Sequence, residues 1–323
     1  MIKETVPGDR VTIHLASKGK QKPSRLKNLS KSASGYEILQ WRSLEDYTSI
    51  GDVKFHDPLM RDSRADEYCK SQWADTVLSN SRWYGVETIE EAYEIWAEGY
   101  MGSEITAMGE GLASKAEGLV VQRRRRRVYG PQAGELDADR WANGARDMAF
   151  VSRPRRGSKT SPIVTLAFAW GGNSSRKASE LRWTGVAASA LCYSLEAAGW
   201  RVGLTAMPLN RGWVGKDWWS AHLIPVKQPE EPLRPGQVGA MFCHPASFRI
   251  KHFYAMMAQW VSTGQALGSM RTLPEIPSEM REDISQRLPG NTIFVDAAFN
   301  EGDAMAAVVK ALEQVANPMR MEG

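Results

Sequence analysis

The sequence predicts an α/β protein, a largely parallel sheet with flanking helices preceded by a mainly helical N-terminal part. Three observations carry that expectation. Residues 163–170 (IVTLAFAW) form an unbroken apolar run of strand length, then come a polar Gly/Ser loop, a helical pattern and a second apolar run at 201–207, the order of a β-α-β crossover. Residues 291–297 (NTIFVDA) read as another strand buried on both faces, again followed by a helical pattern. Between residues 36 and 121 the apolar positions recur instead at helical spacing.

Taken in order, residues 1–34 are rich in Lys, Ser, Gly and Pro and read as a flexible basic arm, with one short strand suggested by Val11, Ile13 and Leu15. The helical part, 35–121, has its clearest element at 89–98. There Thr88 and Glu91 have capping-box spacing, Ile89, Ala92, Tyr93 and Trp96 share a face, and Gly99 ends the helix. Helices are also expected at 65–78 and 104–116. Gly109 and Gly111 look like a fragment of a dinucleotide-binding fingerprint, but no strand precedes them, so the match carries no function.

Residues 122–160 form a third segment, an arginine-rich strand, a short helix near 139–149 and a Pro/Gly/Ser-rich basic linker. Between 121 and 160 there are eleven Lys and Arg against four Asp and Glu, an excess of seven charges in a chain whose net charge is only +4. Arg123, Arg124, Arg125, Arg126 and Arg127, if extended, alternate between two faces, so some reach solvent whatever surrounds them. Together with Arg153, Arg155, Arg156 and Lys159 they are the candidate nucleic-acid contacts, since each phosphate neutralised releases a counterion. A charged edge strand or linker is the plainer reading of the same residues.

The α/β domain, 161–323, opens with the crossover. Ser179 is the expected N-cap, with Glu180 favoured in the first turn by the helix dipole. Leu181, Gly185, Ala188, Cys192 and Leu195 make a face of mostly small residues, and Gly199 stops the helix. A Trp- and Gly-rich loop at 210–219 leads to a strand at 222–226, a short apolar stretch at 237–242, a helix at 248–260 and another near 278–286. Asn300 caps the last helix, whose apolar stripe is Met305, Val308, Val309, Leu312 and Val315.

Composition excludes several classes. Apolar and charged contents of 42% and 24% suit a soluble globular protein, and no run approaches the roughly 20 apolar residues that span a bilayer. The first ten residues lack the apolar core of a secretory signal. Three widely spaced cysteines, Cys69, Cys192 and Cys243, argue for free buried thiols in a reducing compartment.

In parallel sheets ligands collect at the carboxyl ends of the strands, which makes the loops at 171–175 and 296–300 the site candidates. No P-loop, Rossmann fingerprint or nucleophile elbow is present, so no reaction is marked. Cys243, His244 and His252 lack a carboxylate that would complete a ligand set, and His244 before Pro245 reads as a hydrogen-bonded strand-end residue.

Two resemblances add to this. The run strand, GGNSS, helix, LEAAGWRVGL looks like the opening of a von Willebrand factor type A domain, whose first loop normally reads DxSxS and holds a divalent metal. On that pattern Gly171 stands where the aspartate belongs, while Asn173 and Ser175 fall at the serines. Without the anionic anchor the site is degenerate and no cofactor is expected; Asn173, Ser175 and Asp296 would be the remaining metal ligands.

A longer stretch, most of 70–255, resembles a family of uncharacterised proteins of tailed phages and prophages. The residues that carry it are Trp83-Tyr84-Gly85, Gly99-Tyr100-Met101-Gly102, the arginine-rich strand, the segment 140–147, the LEAAG crossover and His244-Pro245 with Phe248-Arg249. That resemblance implies a mobile-element origin in the cytoplasm of a bacterial host cell, and no reaction. The expectation is therefore a non-enzymatic phage-type module that binds a protein partner and no membrane. The alternative is a nucleic-acid-binding protein of phage replication or packaging.

Overall fold

The computed structural model describes residues 2–5, 11–17, 34–48, 81–116, 128–130, 135–136, 141–142, 150–152, 161–171, 176–211, 217–252, 255 and 273–316. Three strands open the chain, β1 (Ile2–Thr5), β2 (Val11–Ser17) and β3 (Ser34–Trp41), followed by the short α1 (Leu44–Thr48). Helices α2 (Ser81–Tyr84), α3 (Ile89–Glu98) and α4 (Gly102–Lys115) come next. A small antiparallel sheet is built from β4 (Val128–Gly130), β5 (Glu135–Leu136) and β6 (Phe150–Ser152), with β6 in the middle.

The crossover is β7 (Ile163–Ala169), α5 (Ala178–Ala197) and β8 (Arg201–Met207), followed by β9 (Leu209–Arg211) and the long β10 (Asp217–Lys227). After α6 (Pro235–Val238) the backbone winds into two π-helical turns, Gly239–Cys243 and Ser247–His252. A 3₁₀ turn (Leu273–Glu275), α7 (Ser278–Arg287), β11 (Asn291–Val295) and α8 (Glu301–Ala316) close the described chain.

The main sheet has eight strands in the order β1-β2-β3-β10-β8-β7-β11, with β9 paired to β10. It is mixed, where a largely parallel sheet was expected. β7 runs parallel to β8 and β11, but β10 runs antiparallel to β8 and parallel to β3, and β2 and β1 follow antiparallel. The reason lies in the connection: the chain passes from β8 to β10 through β9 and no crossover helix, and so short a link delivers an antiparallel neighbour.

The expected start of the helical part is also corrected. Residues 34–41 are a strand, and Glu37, Ile38 and Leu39 are all buried because β3 is covered on both faces. Such a strand loses the alternation that would reveal it. Helices do follow at 81–115, α3 with its anticipated bounds. Of the flexible basic arm expected over 1–34, residues 2–5 and 11–17 are strands β1 and β2 of the main sheet, while 6–10 and 18–33, like the helix expected at 65–78, lie outside the described residues.

One face of the sheet, with Leu39, Trp41, Val164, Leu166, Phe168, Val202, Leu204 and Ile224, packs under α5, α8, the π-helical turns and α3–α4. The other, with Ile38, Ala167, Met207, Leu209, Ala221 and Leu223, packs on Met280 and Ile284 of α7. Tyr36 crosses to that layer, its hydroxyl donating to Asp283 at 2.6 Å. α5 is buried through its middle, as its small residues allow. It begins two residues earlier than the Ser179 cap implies. Glu180 supplies the cap instead, its carboxylate accepting the Lys177 N–H at 2.7 Å, and that bond holds its pKa below the usual value. At the other end Gly199 takes φ 89°, and the Trp200 and Gly199 amides reach back to Leu195 and Glu196, a Schellman termination that a Cβ would strain. Among the described residues no helix is long and apolar enough to cross a membrane.

Candidate functional site

Phe168 of β7 pairs with Ala206 of β8 and with Val295 of β11, so the two candidate loops leave the sheet at the same end. The hydroxyl of Thr184 on α5 donates to the Ala298 carbonyl at 2.9 Å and accepts its N–H at 3.0 Å, fastening the second loop down. Asp296 sits at the root of that loop, where Oδ1 accepts the Leu273 N–H at 3.0 Å. Asn173 and Ser175, the other two candidate metal ligands, lie outside the described residues. So do the candidate phosphate contacts Arg123–Arg127, Arg153, Arg155, Arg156 and Lys159. Among the described residues no group of three His, Cys, Asp or Glu is placed to hold a metal ion.

The same end carries a buried polar group that the sequence does not advertise. Glu37 on β3, Ser220 on β10 and Asn210 on β9 are register partners in one row across three strands, and all are buried. Alternation along each strand puts them on the α5 face, as it does His222, two residues from Ser220. The Trp41 indole N–H donates to His222 Nδ1 at 3.4 Å, so a neutral His222 carries its proton on Nε2. His252, from the second π-helical turn, meets His222 edge-on at 4.8 Å and stacks on Phe248 at 5.5 Å. Trp170, the residue just after β7, closes the group with its ring 5.8 Å from His252. Neither ring nitrogen of His252 has a hydrogen-bond partner. Burial pushes His222 down to about 3, and burial together with the neighbouring His222 holds His252 well below the ordinary imidazole value. Both rings are neutral at physiological pH.

Beside this group the motif residues form a clamp. Arg249 is buried, donates to the carbonyls of Trp83 and Arg176, the latter at 2.7 Å, and lays its guanidinium over the Trp83 ring at 4.7 Å. Ser247 accepts the Trp96 indole N–H at 2.7 Å and donates to the Ala240 carbonyl. Lys251 is also buried, with its ammonium 5.0 Å from the Tyr93 ring centre and 4.8 Å from that of Trp96. His244 accepts the Ala246 N–H on Nδ1 at 3.2 Å and meets the Tyr100 ring edge-on at 4.7 Å; burial lowers it to about 4. It is hydrogen-bonded as expected, though between π-helical turns and not at a strand end. Thus Trp83-Tyr84-Gly85, Gly99-Tyr100 and His244-Pro245 with Phe248-Arg249, distant in sequence, converge on one place. Two of the three cysteines, Cys192 and Cys243, are buried free thiols, pushed up to about 12 by burial; Cys69 lies outside the described residues.

The arrangement is buried and aromatic. His222 Nδ1 is taken by Trp41, which leaves the proton-free nitrogen of His252 to accept a hydrogen bond there, and Glu37 shares their face. π-helical turns cluster at functional sites, and carboxyl ends of parallel strands are where α/β proteins bind. Sequence reasoning missed His222, Glu37 and Trp41. A lone histidine in a strand leaves no spacing signal, and β3 was not read as a strand at all.

No curated protein and no solved structure matches the chain. A family model described as a domain of unknown function (DUF7192) matches residues 32–289, which take in β3, the motif clamp and the sheet up to the end of α7. The chain therefore belongs to that family of uncharacterised proteins.

Proposed function

We propose that the protein is a non-enzymatic interaction module of phage type, its α/β domain resembling a von Willebrand factor type A module without the metal, which engages a protein partner through the loops at 171–175 and 296–300. One observation carries this reading. The buried polar side chains of the motif clamp are committed to this chain itself: Arg249 to two backbone carbonyls, Ser247 to Trp96 and Ala240, His244 to Ala246. Residues that hold a surface in shape without offering a reactive group suit a scaffold for binding. The reading needs no cofactor, and Asp296, the one described member of the candidate metal set, already accepts a backbone N–H. It puts the protein in the cytoplasm of the bacterial host, with 161–323 as the binding domain and the segments 1–34, 35–121 and 122–160 ahead of it.

The excess of seven positive charges over 121–160 favours a second reading, nucleic-acid binding by Arg123–Arg127 and the 153–159 linker. A photo-crosslinking residue at Phe299 and a salt series with labelled DNA and RNA separate the two. The interaction module predicts one crosslinked protein partner, lost when Asn173, Ser175 and Asp296 are all alanine, with weak nucleic-acid retention. Nucleic-acid affinity that falls steeply with salt, and that disappears when Arg123–Arg127 become serine, overturns it in favour of the second.

A further inference from the structure

Among the described residues the main sheet ends in β1 on one side and in β11 on the other, and the two edges differ in chemistry. β1 (IKET) carries Lys3 and Glu4, charges that would lose water if another strand paired there. β11 (NTIFV) carries no charge and no proline, and it keeps unbroken register with β7 from Asn291 to Val295. Pairing with β7 occupies one side only. On the other side alternate residues turn an N–H and a C=O outward, with no described strand to receive them.

Charges beside this strand are committed elsewhere. Asp296, the residue that follows β11, accepts the Leu273 N–H at 3.0 Å. Arg281 of α7, whose guanidinium lies 5.2 Å from the Phe294 ring centre, donates to the Leu273 carbonyl at 2.7 Å. Both signs are thus spent on the backbone of one residue in the 3₁₀ turn, and the edge itself stays uncharged. Ile293 and Val295 are buried in the core on the α5 face, while Phe294 packs half-buried on the α7 layer. A strand edge with neither charge, proline nor bulge is the form that pairs with another strand.

The strand is also complementary to itself. Antiparallel pairing about a two-fold axis at Ile293 sets Thr292 opposite Phe294 of a second copy and Asn291 opposite its Val295, each pair occurring twice. No like charges meet, and a β-branched residue faces an aromatic one, a combination that stabilises sheets. We propose that β11 is a dimerisation edge, on which a second copy of this chain pairs antiparallel and continues the sheet across the two-fold axis. This is independent of the loops at 171–175 and 296–300: antiparallel strands point their carboxyl ends apart, so the two 296–300 loops stay at opposite ends of the paired strands. A five-residue strand gives a small interface, and the dimer should be weak, with a Kd of about 10–100 µM.

Analytical ultracentrifugation of the intact protein from about 1 to 500 µM tests this. The expected result is a reversible rise from the mass of one chain to twice that mass. Asn291→Lys, at an exposed position, and Thr292→Lys, at a half-buried one, each place on the edge a charge that pairing would strip of water. Each should weaken dimerisation about tenfold or more with the circular dichroism unchanged, and Asn291→Lys reads the same edge if Thr292→Lys fails to fold. A single-chain mass over the whole range, association that continues past two copies, or a dimer that Asn291→Lys and any folded Thr292→Lys leave intact would each overturn the assignment.

Discussion

His222 and His252 face one another at 4.8 Å inside a shell of Trp41, Trp170 and Phe248, a place where a second proton has nowhere to be solvated. Unfolding releases both to titrate at their ordinary value near 6.5, whereas in the folded state His222 is held at about 3 and His252 well below 6.5. The unfolded chain therefore binds more protons as the pH drops. Stability should be full above pH 6.5 and fall through the window from 6.5 toward 3, by on the order of 1.4 kcal/mol per pH unit for each histidine. His244, lowered to about 4, steepens the same slope. Urea midpoints at pH 7.5 and 5.5 measure it. His252→Phe, which keeps the stacking on Phe248, should flatten the dependence, and equal midpoints for the parent protein at both pH values would contradict the burial of these rings.

The crossover of β7, α5 and β8 is legible because its strands are continuous apolar runs and its helix is framed by Glu180 and Gly199. The π-helical turns are not. Their hydrogen bonds close at i+5, a period that no amphipathic pattern marks, so residues 237–242 read only as a short apolar stretch and residues 248–260 as an ordinary helix. Close packing of elements is similarly silent until neighbours are known. Gly109, a meaningless fragment of a fingerprint in the sequence, sits where a Cβ would stand 2.9 Å from Ser189 of α5, and Gly239 lies directly on the Tyr100 carbonyl. Gly239→Ala should therefore cost about 1–3 kcal/mol by forcing the first π-helical turn off α4's entry. Gly111→Ala, with nothing within 4 Å, should instead gain roughly 0.5–1 kcal/mol from helix propensity. Chemical denaturation of the pair checks both signs. Of the candidate site, the loops after β7 and β11 were legible from strand order, but the row of Glu37, Ser220 and Asn210 was not. It exists only because β3, β10 and β9 happen to align there.

At the scale of the molecule, β10 joins the halves of the sheet. Seven of its residues pair with β3, three of those also with β9, and Ile224, Pro225 and Lys227 with β8, so the strands of residues 2–41 are continuous with the sheet of 163–295. Removing residues 1–42 should uncover the β3-facing edge of β10, a template for pairing with other chains. Size-exclusion chromatography of the shortened protein should give aggregates, and a monomer with the parent's circular dichroism would refute the dependence. The β3–β10 ladder also has a temporal consequence. Glu37 pairs with Ser220, so β3 leaves the ribosome about 180 residues before its partner does. At about 5–20 residues per second, the nascent chain carries an unsatisfied β2–β3 hairpin for on the order of 10–40 s. During that interval the edge of β3 that will meet β10 stands open to pairing with other chains, so slower synthesis lengthens its exposure.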